Sequence, residues 1–94
     1  MEENEQKSIQ ELITSINMIP VQSSNIVAMG YNELDKVLRV IFRGGSSYLY
    51  YNVEPEIWEL LGNSESKGKA LNENIVRHKD KYRYVKILNE NKEE

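Results

Sequence analysis

The stretch VLRVIFRGGSSYLYY, Val37 to Tyr51, constrains the fold more than any other part of this 94-residue chain. Two runs rich in β-branched and aromatic residues flank Gly44-Gly45, and a glycine pair supplies the positive φ that a tight hairpin requires. An antiparallel hairpin is therefore expected, and its turn length decides which side chains share a face. A two-residue turn at Gly44-Gly45 sets Arg43 opposite Ser46, Ile41 opposite Tyr48 and Arg39 opposite Tyr50 on one face. The other face then carries Phe42, Val40 and Leu38 against Ser47, Leu49 and Tyr51, and this is the apolar one. A three-residue loop would shift the register by one and exchange these assignments, because side chains alternate with period two. The two-residue turn is the expectation.

On that register Tyr51 belongs to the core, while Tyr48 and Tyr50 share a face with Arg39 and Arg43. Tyrosine and arginine on an open strand face can stack bases and neutralise phosphates. If a helix covers the face instead, the rings are packing with their hydroxyls satisfied at the rim. Both readings stand at this point.

Elsewhere the pattern is helical or extended in turn. Ile9, Leu12, Ile13 and Ile16 recur at helical spacing and predict an amphipathic helix over about residues 4–17, stopped by Pro20. NIVAMGY reads as a strand in which Ile26, Ala28 and Gly30 alternate with Val27, Met29 and Tyr31. Pro55 suits the first position of a helix that buries Ile57, Trp58 and Leu61 and ends at Gly62. A further helix from about Ser66 to Arg77 buries Leu71 and Ile75, and KYRYVKIL is a last strand. The expected fold is a small α+β domain in which an antiparallel, hairpin-based sheet of three to four strands packs with two helices, plus an N-terminal amphipathic helix. Residues 1–18 form a helical extension, 19–87 the domain and 88–94 a disordered acidic tail.

Charge narrows the partners. The formal net charge is -3, which argues against a general polyanion binder. Its distribution is uneven: residues 39 to 86 hold nine Lys and Arg against six Asp and Glu, whereas both ends are acidic. With no cysteine there is no disulfide framework or thiol nucleophile, so a cytoplasmic protein is expected. No apolar run approaches the length of a membrane span, and the acidic N-terminus lacks the basic region of a signal peptide.

The search for catalytic residues is negative. His78 is the only histidine and reads as a solvated residue or a helix C-terminal dipole partner, so neither a zinc centre nor another cofactor is expected. GNSESKGKA, Gly62 to Ala70, fails as a phosphate loop because five residues separate its glycines and Ala70 stands where Ser or Thr is needed. What it retains is a helix start at Gly68 with Lys67 and Lys69, either an anion cradle or an ordinary helix start with solvated lysines. The run Arg77, Lys79, Lys81, Tyr82, Arg83, Tyr84 and Lys86 repeats the basic and aromatic interleaving.

Taken as a set, VQSSNIVAMGYNE, a strand ending in Phe42, the Y-x-Y of Tyr48-Leu49-Tyr50, and VEPEIWELLGNSESKGKALNENI resemble the KTSC domain, named for its occurrence at the C-terminus of some lysyl-tRNA synthetases. The resemblance covers about Ile19 to Ile87 and rests on Ser23-Ser24, Gly30-Tyr31, Tyr48 and Tyr50, Ser66 with Gly68, and Asn72. Leu71 departs from it, since the family tends to place an aromatic there. The resemblance implies a small domain for which nucleotide or nucleic-acid binding is the usual suggestion, found also in stand-alone bacterial or phage proteins. Phage proteins of this size include sponges for the cyclic nucleotide signals of antiviral defence. The expected function is non-catalytic binding of a small nucleotide, in a homo-oligomer with sites between subunits. A single-stranded RNA or tRNA module and a protein-interaction module are the alternatives. Tyr48 and Tyr50 would stack or hydrogen-bond bases, Arg39 and Arg43 would meet phosphate, and Lys67, Gly68 and Lys69 would form a second cradle. Ser24 and Asn72 would read polar edges.

Overall fold

The structure, a computed structural model, describes residues 8–87. Five antiparallel strands run as a meander: β1 (Met18–Pro20), β2 (Ile26–Asn32), β3 (Val37–Phe42), β4 (Ser47–Tyr50) and β5 (Tyr84–Ile87), in the spatial order β1-β2-β3-β4-β5. Three helices accompany them, α1 (Ile9–Ser15), α2 (Pro55–Asn63) and α3 (Lys67–Leu71). Asn72 keeps helical dihedrals, so α3 passes directly into a π-helical turn over Asn72–Val76. The fold is α+β, with five strands rather than the three to four expected. The added edge strand, β1, is too short to show an alternation, and its Pro20 is tolerated because an edge needs no donor on its outer side.

The sheet is covered on both faces. Leu38, Val40, Met29 and Tyr50 pack with Leu61 of α2 and Leu71 of α3 in the main core. On the opposite face Val37 and Leu49 receive Leu12 and Ile16 from the N-terminal segment. α1 begins behind Ser8, whose hydroxyl accepts from the Glu11 amide while the Glu11 carboxylate accepts from the Ser8 amide, a capping box. The helix start expected at residue 4 and the tail expected to be disordered lie outside the described residues.

The hairpin register departs from the expectation by one residue. The Phe42 amide donates to the Ser46 carbonyl at 2.8 Å and the Gly45 amide to the Phe42 carbonyl at 3.1 Å, leaving Arg43-Gly44-Gly45 as a three-residue loop. Both glycines have positive φ, +99° and +101°, so the turn needs residues without a Cβ. Leu38 therefore pairs with Tyr50 and Val40 with Tyr48, while Arg39 pairs with Leu49. Tyr48 and Tyr50 lie on the face that α2 and α3 cover, and Tyr51 and Leu49 on the other.

A second slip lies in β2. Ile26 pairs with Phe42 but Ala28 with Ile41, a bulge that leaves Val27 exposed and turns Ile26 into the main core beside Met29. Simple alternation had put Ile26 with Ala28. Gly62 does not end α2 either; the helix continues to Asn63, and the Lys67 ammonium donates to the carbonyls of Gly62 and Ser64 at 3.1 and 2.9 Å.

Two glycines separate close packing from open space. A Cβ on Gly30 would lie 2.4 Å from the Asn17 carbonyl oxygen and 2.5 Å from Ile16 Cγ2, because the chain after α1 crosses the sheet there. Gly30→Ala should cost about 1–3 kcal/mol or more in chemical denaturation. Gly62 has nothing within 4 Å and sits in a helix, so Gly62→Ala should stabilise by about 0.5 kcal/mol.

The register has a titration signature. Tyr50 is 6% exposed, and burial, followed by the neighbouring Tyr48 and Tyr84, pushes its phenol up to about 12 from an ordinary 10.0. The folded state thus favours the protonated phenol, and the stability this contributes is intact below about pH 10 and lost as pH rises to about 12. In a phenolate titration by ultraviolet absorbance, the latest tyrosine step should fall near pH 12 and disappear in Tyr50→Phe.

Candidate functional site

The three-residue turn gathers aromatic rings on the face of the sheet that α2 and α3 cover. Tyr48 and Tyr50 stand two residues apart on β4, and β5 brings Tyr84 directly opposite Tyr50. The ring centroids of Tyr48, Tyr50 and Tyr84 form a near-equilateral triangle with sides of 6.1, 6.0 and 6.0 Å. Phe42 meets Tyr48 edge-on at 5.8 Å, the arrangement that ring quadrupoles favour.

Between these rings and the helical segment opens a cleft of about 580 Å³. Leu71, Ile75 and Val76 supply its helical wall, Asn25, Asn72, Arg43 and Lys79 its polar and cationic lining, and Tyr50 and Tyr82 its buried aromatic surface. No Asp or Glu lines it, so its fixed charges are both positive. Chain geometry explains the placement. Widening α3 into a π turn re-aims Asn72, Ile75 and Val76, and such turns recur at functional sites. The Arg43 amide donates to the Asn25 carbonyl at 2.8 Å, and Arg43 Nε donates to the Ser23 carbonyl at 3.1 Å, which ties the hairpin loop to the entry of β2.

Of the residues expected in the site, Arg43, Tyr48, Tyr50, Gly68 and Asn72 line this cleft. The others do not join them. Arg39 lies on the opposite face, its Nε donating to Ser47 Oγ at 3.2 Å, and partial burial lowers its guanidinium pKa. Lys67 is occupied at the C-terminus of α2. Lys69 borders a separate shallow depression with Leu60 and Glu73. Ser66 Oγ accepts from the Lys69 amide, and Gly68 lies against Ser23, whose Oγ would be 3.3 Å from a Cβ there. The second anion cradle is thus not assembled. Ser24 is exposed and its neighbour Asn25 takes the place in the cleft. His78 uses Nε2, 3.0 Å from the Glu73 carbonyl, at the end of the helical segment.

Sequence reasoning missed Asn25, Phe42, Leu71, Ile75, Val76, Lys79, Tyr82 and Tyr84 as lining residues. A signal existed for three of them, since Lys79, Tyr82 and Tyr84 belong to the basic and aromatic C-terminal run. Pairing that run with the Y-x-Y strand would have found the ring triangle. Among the described residues no cluster of His, Cys, Asp and Glu has the makings of a metal site, and no helix is long and apolar enough to cross a membrane.

Comparison with known proteins places these features in a family. A protein of Tsukamurella paurometabola is 46% identical over 55 residues, spanning 58% of this chain and 82% of that protein. A protein of Stutzerimonas stutzeri is 33% identical over 69 residues, 73% of this chain and 94% of its own length. The crystal structure of a KTSC domain protein from Yersinia pestis matches with a TM-score of 0.68 at 27% identity, covering 78% of this chain and 99% of that one. The KTSC domain model matches residues 22–84, which include the bulged β2, the hairpin, α2, α3 and the start of β5, and the chain belongs to the KTSC domain family.

Proposed function

We propose that the protein binds a small nucleotide without converting it. The observation that carries this reading is the cleft, in which a tyrosine triangle stands beside Arg43 and Lys79 with no carboxylate in the lining. Stacking on an aromatic ring is favourable for any base, and two cations suffice for a ligand with one or two phosphates. The volume of about 580 Å³ suits a ligand of that size and lies within the usual range of small-molecule sites. Tyr84, 41% exposed, and the half-buried Tyr48 offer the accessible rings.

A long RNA is a poorer fit, because its affinity is built from many phosphate contacts and the chain carries a net charge of -3. A cyclic dinucleotide has two bases and two phosphates, and a single cleft has one tyrosine triangle, so such a ligand would engage one cleft on each of two copies. In that case the protein acts as a cytoplasmic sponge for a signalling nucleotide, and ligand-dependent dimerisation supplies the oligomer.

The test is a thermal-shift panel of mononucleotides, cyclic dinucleotides and a short single-stranded RNA, with bound ligand recovered and identified by chromatography. A nucleotide that raises the melting temperature and is recovered intact supports the reading; no shift from any nucleotide overturns it and favours a protein partner. Tight RNA binding with steep salt dependence would favour the single-strand module instead. Tyr48→Ala should lose about 1–3 kcal/mol of stacking, on the order of 5- to 150-fold in affinity. Lys79→Ala, at an exposed cation, should weaken a nucleotide about two- to fivefold and leave the matching nucleoside unchanged.

A further inference from the structure

The cleft lining includes two tyrosines whose hydroxyls the fold does not satisfy. Tyr50 and Tyr82 are 6% and 2% exposed and both line the cleft, yet among the described residues neither hydroxyl has a hydrogen-bond partner. By contrast the half-buried Tyr31 donates its hydroxyl to the Val53 carbonyl. A buried hydroxyl without a partner costs stability, and removing it by Tyr→Phe leaves shape and packing unchanged. Two such groups in one cleft mark the place where a ligand's polar atoms belong.

Resting on the nucleotide reading, we infer that the ligand enters base first, with the Tyr50 and Tyr82 hydroxyls donating to acceptor atoms on the edge of the ring and the phosphate left at the mouth beside Arg43 and Lys79. The opposite orientation would bury a phosphate against phenols and apolar side chains, and a charge taken out of water without a close counter-charge is far more costly than a neutral ring. Both lining cations are exposed, whereas Tyr50 and Tyr82 are buried residues. Charge therefore stays outside and the aromatic ring goes in. The Tyr50 phenol remains protonated until about pH 12, so it acts as a neutral donor throughout the working range. Ring nitrogens and keto oxygens are the acceptors it can meet. The two tyrosines are thus specificity-determining residues that read the base, while Tyr48 and Tyr84 stack on it without choosing.

Tyr50→Phe and Tyr82→Phe test this by calorimetric titration with the four 5′-mononucleotides, cyclic di-AMP, cyclic di-GMP and ribose 5-phosphate, alongside thermal melting of each ligand-free variant. The expected result is that each variant melts at or above the wild-type temperature while its affinity for the preferred nucleotide falls about ten- to hundredfold, the loss for a ligand acceptor left unpaired on burial. Ribose 5-phosphate should bind at least tenfold more weakly than the preferred nucleotide. Unchanged nucleotide affinity in both Phe variants, or ribose 5-phosphate binding as tightly as the nucleotide, overturns the base-first orientation while leaving nucleotide binding itself intact. Lower melting temperatures with unchanged affinity would make the hydroxyls structural and overturn it as well. If the wild type binds none of the nucleotides, the reading beneath the inference fails and the inference falls with it.

Discussion

The positive-φ turn at Gly44-Gly45 governs the rest of the molecule. With three residues between Phe42 and Ser46, every side chain of β4 is assigned to a face, since a slip of one position would invert them all. The actual assignment sends Tyr48 and Tyr50 under the helices and Leu49 and Tyr51 toward α1. Each face then acquires an apolar set large enough to be covered. Arg39 is carried away from the tyrosines by the same step, so the pairing of arginine and tyrosine on one open face does not arise from the hairpin. It arises from the loop, where Arg43 is bound to the Ser23–Asn25 segment.

Coverage of both faces leaves a gap in one place. α3 is short and passes into a π turn, and Leu71 of α3 and Ile75 of the π turn are buried in the main core. The cleft lies between this helical segment and the tyrosines of β4 and β5. Its wall is apolar because it continues the core, and its mouth is cationic because Arg43 and Lys79 come from loops at the surface. A site made this way is a feature of the scaffold itself, held by the same contacts that stabilise the fold. Tyr50 shows the overlap: it is at once a core residue and part of the lining.

For the Y-x-Y tyrosines, packing in the core and lining the cleft are therefore not alternatives. A core position asks for an apolar ring, and phenylalanine would serve it; the hydroxyls of Tyr50 and Tyr82 add polar atoms that nothing in the described fold pairs. The family pattern gains a physical reading in the same way. Ser23 and Gly68 are packing partners, with Ser23 Oγ also accepting from the Asn25 and Ile26 amides at 3.1 and 3.2 Å, and Gly30 admits the chain that follows α1. Leu71, in place of an aromatic, serves as wall rather than as a stacking surface.

The sequence by itself determined the α+β class, the hairpin and its glycines, α2 with Pro55 at its start, the amphipathic face of α1 through Leu12 and Ile16, and the last strand. These are local properties, set by periodicity of 3.6 or 2 and by residues whose backbone preferences are intrinsic. It also singled out Arg43, Tyr48 and Tyr50, because aromatic, cationic and turn residues in one short region are informative without coordinates, while Gly68 was singled out by its helix start and the family resemblance, and Asn72 by the resemblance alone. Only the tertiary structure decided the turn length, the bulge at Val27, the pairing of β5 with β4 and the edge strand β1. Each depends on which distant segment satisfies a backbone hydrogen bond or buries an apolar side chain, and a one-residue choice there costs little locally while inverting a whole face. That is why Tyr84, Tyr82 and Lys79, far along the chain from the Y-x-Y strand, enter the site only when the sheet is assembled, and why Arg39 and Lys67 leave it.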